Sequence, residues 1–203
     1  MKMVQTDDLP VQERKSSGRV GTLRTRTVFT GEPGSIDNFS FRIYDQDGSF
    51  ASPRHHHNFD QFRYQIDGEA DFARNGLMTP GVLGYFPEGA YYGPQSGPPH
   101  TVAVLQFAGP SGSGYLSSGE HHQATEELRE LGTFDNGIFR RHPDVEGKRT
   151  QDSYEAVWEH VTGRPLVYPE PQYTDPIMMH TDRYPWQPVD GATDVQRRTL
   201  GTF

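Results

Sequence analysis

From residue 20 to residue 107 the chain alternates apolar and polar side chains in short runs, each closed by glycine, proline or Asp/Asn. The clearest run is Asp37–Tyr44, where Phe39, Phe41 and Ile43 share one face and Ser40, Arg42 and Tyr44 the other. That period of two predicts a strand, and the following Asp45-Gln-Asp-Gly48 predicts a turn. Similar runs predict strands over 20–30, 55–57, 61–67, 69–74, 82–86, 90–93 and 100–107. Turn signals lie between them at Asp67-Gly68, Asn75-Gly76, Pro80-Gly81, Pro87-Glu88-Gly89 and Gly97-Pro98-Pro99. Strands recurring at such short intervals are the pattern of an antiparallel sandwich or barrel. The period then changes. Residues 119–131 predict a helix with Ala124, Leu128 and Leu131 on one side, closed by Gly132. Residues 152–161 predict a second, opened by a capping box from Asp152 to Glu155 and ended by Gly163 and Pro165. Its Tyr154–Val157–Trp158–Val161 stripe is expected to dock the helix on the barrel. Residues 1–18 are expected to form a loose arm. The Pro- and Tyr-rich tail ends in a strand-like stretch, Arg197–Phe203, which needs a partner.

Composition narrows the functional classes. Among 203 residues the formal charge is −8, and the sequence pI is about 5.5; such a surface repels phosphate backbones and anionic membranes, so nucleic acid and membrane partners are not expected. No stretch approaches the roughly 20 apolar residues that cross a bilayer. The opening MKMVQTDDLP lacks the apolar core of a signal peptide, and a cytoplasmic location is the expectation. With no cysteine, thiolate ligands and disulfides are excluded, leaving His, carboxylate, amide or phenol to hold any metal.

The chemistry concentrates in Pro53-Arg-His-His-His-Asn-Phe-Asp-Gln-Phe-Arg-Tyr-Gln-Ile-Asp-Gly68. In a strand His55 and His57 point to one side and His56 to the other. Two imidazoles on same-face positions can share one borderline ion, and Gln61, of the same parity, can add a neutral oxygen. Arg63 and Gln65 follow Gln61, which predicts a polar interior face with Phe62, Tyr64 and Ile66 outside; a bulge at 58–60 would reverse this. A guanidinium beside a metal suits a carboxylate, enolate or phenolate, which it grips through two parallel hydrogen bonds.

His55-x-His57-x(3)-Gln61-x(6)-Gly68 resembles the first motif of the cupins, H-x-H-x(3)-E-x(6)-G, with Gln in place of Glu. Gly81, followed after five residues by Pro87-Glu88-Gly89, resembles the second, G-x(5)-P-x-G-x(2)-H. The resemblance covers roughly residues 36–108 and implies an all-β fold: a double-stranded β-helix, or jelly-roll barrel, with two C-terminal helices and an extended tail. The implied division is an arm over 1–18, a barrel over 19–110, and an extension over 111–203 that packs on the barrel or on a partner subunit. It also implies one divalent transition metal ion (Fe, Ni, Mn or Zn) held by His55, His57 and Gln61. Tyr92 stands where the second motif has its last histidine, and His100 is the next histidine downstream. Either can complete the ligand set, and the other is then the acid/base candidate, with Arg63 orienting the substrate. The implied activity is a dioxygenase, or a cyclase, isomerase or lyase using the metal as Lewis acid, on a small anionic or aromatic molecule. The alternative is a non-catalytic small-molecule-binding or structural cupin. The apolar outer strand face and terminal strand both ask for cover, so a homodimer is expected.

Overall fold

In the computed structural model, which describes residues 3–14, 21–135 and 137–201, the alternating runs become strands β1 (Gln12–Arg14), β2 (Leu23–Thr30), β3 (Phe39–Asp47), β4 (Asp60–Asp67), β5 (Ala70–Asp71), β6 (Leu77–Met78), β7 (Val82–Phe86) and β8 (Pro99–Phe107). Helix α1 (Ser118–Arg129), strands β9 (Gly132–Asp135), β10 (Ile138–Arg141) and β11 (Thr150–Asp152), and helix α2 (Ser153–Thr162) follow. Strands β12 (Ile177–His180), β13 (Gln187–Pro188) and β14 (Gln196–Arg197) complete the order. Seven strands make one antiparallel sheet in the order β1-β2-β3-β8-β4-β7-β12. A thin facing layer is built from the β5–β6 pair and single bridges, Ser52 to Gln95, His55 to Tyr92 and Asp71 to Ser96.

Alternation in the large sheet places polar side chains inside. Gln61, Arg63 and Gln65 of β4 are buried, while Tyr64 and Ile66 are 40% and 44% exposed. Across the sheet Ser40, Arg42 and Gln46 of β3 are buried too. The outer face carries stacked aromatics, with Phe62 against Tyr85 and Phe107, and Phe29 against Phe41. The barrel is thus polar within and partly apolar without, with an apolar plug of Phe72, Met78, Val82, Phe86 and Tyr92 at one end.

Several boundaries differ from the sequence expectation. The expected strands over 55–57 and 90–93 contract to the single His55–Tyr92 bridge, because Pro53 and Pro94 on either side lack the N–H that a ladder needs. The strand expected over 69–74 stops at Asp71, whose carboxylate accepts the Ala73 N–H at 2.7 Å and turns the chain into a 3-10 turn. The turn expected at Asp45 lies further on. Asp45 stays in β3, bonded by Arg26 and Thr101, and the chain turns where the Asp47 carboxylate accepts the Ser49 N–H. The arm expected to be loose supplies β1, paired with β2 over Gln12–Arg14. At the other end β14 pairs with β13 within the chain, and Thr202 and Phe203 of the expected terminal strand lie outside the described residues.

The helices pack on each other and on the β9–β11 sheet. Leu116, Ala124, Leu128, Phe139, Ala156, Val157 and Trp158 form a separate core, so most of the stripe fills this second core, while its Tyr154 docks α2 on the barrel at Asn58 and Phe59. Asp152 caps α2 through the N–H groups of Tyr154 and Glu155, but Glu155 turns to Lys148, so the reciprocal half of the expected box is absent. The full capping box belongs to α1, between Ser117 and Glu120. Gly163 closes α2 in the left-handed conformation as expected. Among the described residues, no helix is long and apolar enough to cross a membrane.

The tail then returns to the barrel, where β12 pairs with β7, Ile177 opposite Tyr85. Gly89 marks a tight crossing. Its φ is +78°, and a Cβ there would collide with the Pro169 carbonyl of the tail. Gly112 has a similar φ of +69° with open space around it. Gly89→Ala is therefore expected to lower the unfolding free energy, read from denaturant titration, by more than about 1 kcal/mol, and by clearly more than Gly112→Ala, whose cost is conformational alone.

Candidate metal centre

The two sequence motifs meet in one bridge. His55 donates its backbone N–H to the Tyr92 carbonyl at 3.1 Å, and Tyr92 returns the bond at 2.9 Å. The Gly89 N–H donates to the His57 carbonyl at 2.7 Å, fixing the next turn of the loop. That Pro87–Gly89 turn is held from behind by Asp60, whose carboxylate accepts from the Glu88 N–H and the Tyr85 hydroxyl. Burial raises the Asp60 carboxyl above the usual carboxylate range.

This scaffold puts His55 and His57 side by side, ring centres 5.0 Å apart, both against Tyr92 at 4.5 and 5.5 Å. The Nδ1–H of His55 donates to the Pro53 carbonyl at 2.7 Å, so Nε2 carries that ring's lone pair, the arrangement that fixes a ligating imidazole. His57 is stacked flat on Phe59. The Tyr92 hydroxyl lies 3.3 and 3.4 Å from the two ring nitrogens of His57 and 3.5 Å from the Gln61 amide. His55, His57, Gln61 and Tyr92 are thereby brought together.

Arg63 lies beside them and determines the orientation of Gln61. One amide atom of Gln61 sits 2.7 and 3.2 Å from the Arg63 guanidinium, and a guanidinium only donates, so that atom is the oxygen. The other amide atom meets Gln106 at 2.8 Å. Arg63 also donates to Gln95 at 2.8 Å, and its guanidinium lies over the rings of Phe72, Phe86 and Tyr92 at 5.2 to 5.7 Å.

His100 is elsewhere. On β8 it is aligned with Gln46, whereas Gln106 faces Gln61. Six residues of strand separate the two positions, roughly 20 Å at the usual rise. The expectation that His100 could reach back as a ligand is corrected by this register. Its Nδ1–H is tied to the Pro98 carbonyl at 2.8 Å. Among the described residues no three His, Cys, Asp or Glu side chains cluster as a metal cage. The donor set that fits an ion is the mixed one: two imidazoles and the Gln61 oxygen, which also accepts from Nε and Nη2 of Arg63.

The imidazole pair opens into a pocket of about 380 Å³ at the seam between barrel and helical extension, a volume suited to a small organic ligand. Sequence reasoning missed much of this wall. His121 lines it beside Tyr154 and Tyr168. His56 is clamped between the rings of Tyr91 and Tyr168 at 3.9 and 3.6 Å, and burial holds its imidazole below the ordinary range. The apolar stripe of α2 was a signal for Tyr154; nothing local marked Tyr168.

A candidate dioxygenase from Nostoc punctiforme superposes on 92% of this chain with a TM-score of 0.54 and 10% identity. The chain has a cupin fold. It spans about half the length of the Nostoc protein. The polyketide cyclase RemF from Streptomyces resistomycificus is 20% identical over 52% of this chain and 77% of its own, with a TM-score of 0.42. A candidate acetylacetone dioxygenase from Methylibium petroleiphilum is 14% identical over 57% of this chain and 85% of its own, with a TM-score of 0.40. The last two superpose too loosely to add to the first. No protein-family model and no curated protein matches the chain, so its likeness lies in the fold.

The displaced His100 carries a measurable signature. Burial holds its pKa below the ordinary 6.5, the nearby Arg63 adds to the depression, and the Pro98 carbonyl opposes it. The unfolded chain then takes up the proton first. The stability this group contributes is complete above about pH 6.5 and lost as pH falls toward the folded-state value. Urea midpoints of the parent between about pH 7.5 and pH 5 should show that loss, and His100→Gln should show a shallower slope.

Proposed function

We propose that this cupin is a metal-dependent enzyme acting on a small anionic or aromatic organic molecule, at a centre formed by His55, His57 and Gln61. The observation that carries the reading is that both imidazoles line the seam pocket side by side, with the Tyr92 hydroxyl within hydrogen-bond reach of His57. A divalent Fe, Ni, Mn or Zn ion held there would supply Lewis acidity and, for a redox-active metal, access to O2 chemistry. His55 is pre-oriented for the role by Pro53. Tyr92, within hydrogen-bond reach of His57, gives or takes the substrate proton at its hydroxyl. Arg63 fixes a positive charge on the inner side, where it orients a carboxylate, enolate or phenolate. Tyr91, Tyr154 and Tyr168 wall the pocket with rings suited to a planar ligand. In this reading the chain is a homodimer, with a second copy covering Tyr64 and Ile66 on the outer sheet face.

Elemental analysis of protein purified from metal-replete medium should find about one transition ion per chain in the parent. A His55→Ala/His57→Ala variant should fold and contain none, and Tyr92→Phe should keep the ion while losing turnover. A folded parent without metal would sink the catalytic reading in favour of a non-catalytic binding protein.

A further inference from the structure

The lining of the seam pocket contains one permanently charged cation, and the metal centre proposed above does not use it. Arg54 precedes His55 and borders the pocket together with His55, His56 and Tyr91. Its guanidinium lies over the Tyr91 ring at 4.7 Å. Tyr91 in turn stacks on His56 at 3.9 Å, and His56 on Tyr168 at 3.6 Å. The His56 ring is also tied to the Gly89 carbonyl, 3.2 Å from its Nδ1. Four side chains thus form one stack along the pocket wall, with its permanent charge at the Arg54 end.

Arg54 is exposed and makes no ion pair or hydrogen bond among the described residues. The one carboxylate in the lining, Asp152, is engaged at the start of α2, where it accepts from the Tyr154 and Glu155 N–H groups at 2.8 and 3.1 Å. Its charge is matched there by the helix N-terminus. A guanidinium lying on a ring keeps the N–H groups of its edge free, and their fork fits the two oxygens of a carboxylate. Arg63 does not share this position, because it borders the small barrel cavity and not the seam pocket. It acts from behind Gln61, on ligand atoms next to that amide. A ligand lying in the pocket therefore meets rings along its length and a single unpaired positive charge at the Arg54 end. In a chain of net charge −8, that local charge favours the approach of an anion.

We propose that the seam pocket takes an aromatic carboxylate, its ring among Tyr91, Tyr154 and Tyr168 and its carboxylate paired with Arg54. The proposal rests on the reading above that this pocket is the ligand site, and it narrows that reading. Anionic and aromatic character are required together, in one molecule of a size that about 380 Å³ accommodates. Arg54 is then a specificity-determining residue. It separates an acid from the corresponding amide by charge, in a pocket whose ring wall accepts either.

The test uses the full chain without metal and a matched pair of probes, 2-naphthoate and 2-naphthamide, alike in shape and different in charge. In calorimetric titrations at low ionic strength the parent should bind the acid at least about fivefold more tightly than the amide. That preference should shrink as salt is added. Arg54→Gln should lose the preference by weakening the acid alone. Arg54→Lys, which keeps the charge without the fork, should fall between the two. Arg140→Gln, at an exposed position on β10 outside the pocket, removes the same charge from the chain and should bind like the parent. Equal affinities for the two probes in the parent would overturn the proposal, as would no binding of either. So would an Arg54→Gln variant that keeps the preference, or one that loses acid and amide alike. The ion count described above is a separate measurement. A parent that carries metal but shows no preference refutes the acid assignment alone, and a parent that never carries metal yet keeps the preference refutes the enzyme alone.

Discussion

A guanidinium enclosed by a small barrel cannot give up its charge, so everything around it must accept hydrogen bonds or offer a ring face. Arg63 imposes that rule on its neighbours. It takes the oxygen of Gln61 and that of Gln95, and three aromatic rings lie under it. Gln95 passes the network to Gln46, while Gln61 passes it to Gln106, Tyr115 and Ser40. One chain of polar side chains thus crosses the barrel, and the amide that borders the imidazole pair is one of its links. A glutamate at position 61 would form a salt bridge with Arg63 and add a negative charge to the donor set; glutamine offers the arginine a neutral oxygen instead. The identity of residue 61 and the presence of Arg63 are therefore one decision, made where the two sequence motifs meet.

The pocket belongs to two structural units at once. Its floor is the loop Ser52–His57 of the barrel, and its roof is supplied by His121, Ser153, Tyr154 and Val157 of the helical extension. Asn58, fully buried, is the joint. It accepts the Tyr154 hydroxyl at 2.8 Å, donates to the Gly114 carbonyl, and gives its own carbonyl to Ser113 at 2.6 Å. Helix α2 in turn is positioned by its own core and by Lys148, which pairs with Glu155 and Glu159. Substituents on a ligand far from the imidazoles would meet groups whose placement depends on the packing of α1 against α2.

How much of this is legible in the sequence depends on how local the signal is. The strands Val82–Phe86 and His100–Phe107 follow their alternation almost to the residue, and the inward turn of Gln61, Arg63 and Gln65 follows from parity once no bulge intervenes. The His55–Tyr92 bridge is legible only as motif spacing, because prolines on both sides leave too few paired residues for periodicity to register. His100 misleads, since proximity in sequence to a turn says nothing about which end of the barrel a strand begins from; register against β3 and β4 decides that. Tyr168 and His121 carry no pattern at all, being placed by contacts between segments more than a hundred and about sixty-five residues from His56.

The pairing of β12 with β7 links residues about ninety positions apart. Until residue 180 has been made, the outer strand of the nascent barrel presents a row of open backbone groups, the kind of edge that recruits neighbouring chains. Closure of the sheet and stacking of Tyr168 on His56 both wait until residues 168 to 180 have been made. Ribosome-bound intermediates shorter than that would hold the motif histidines in a barrel with one raw side, and separations this long in sequence are what make a fold slow to complete.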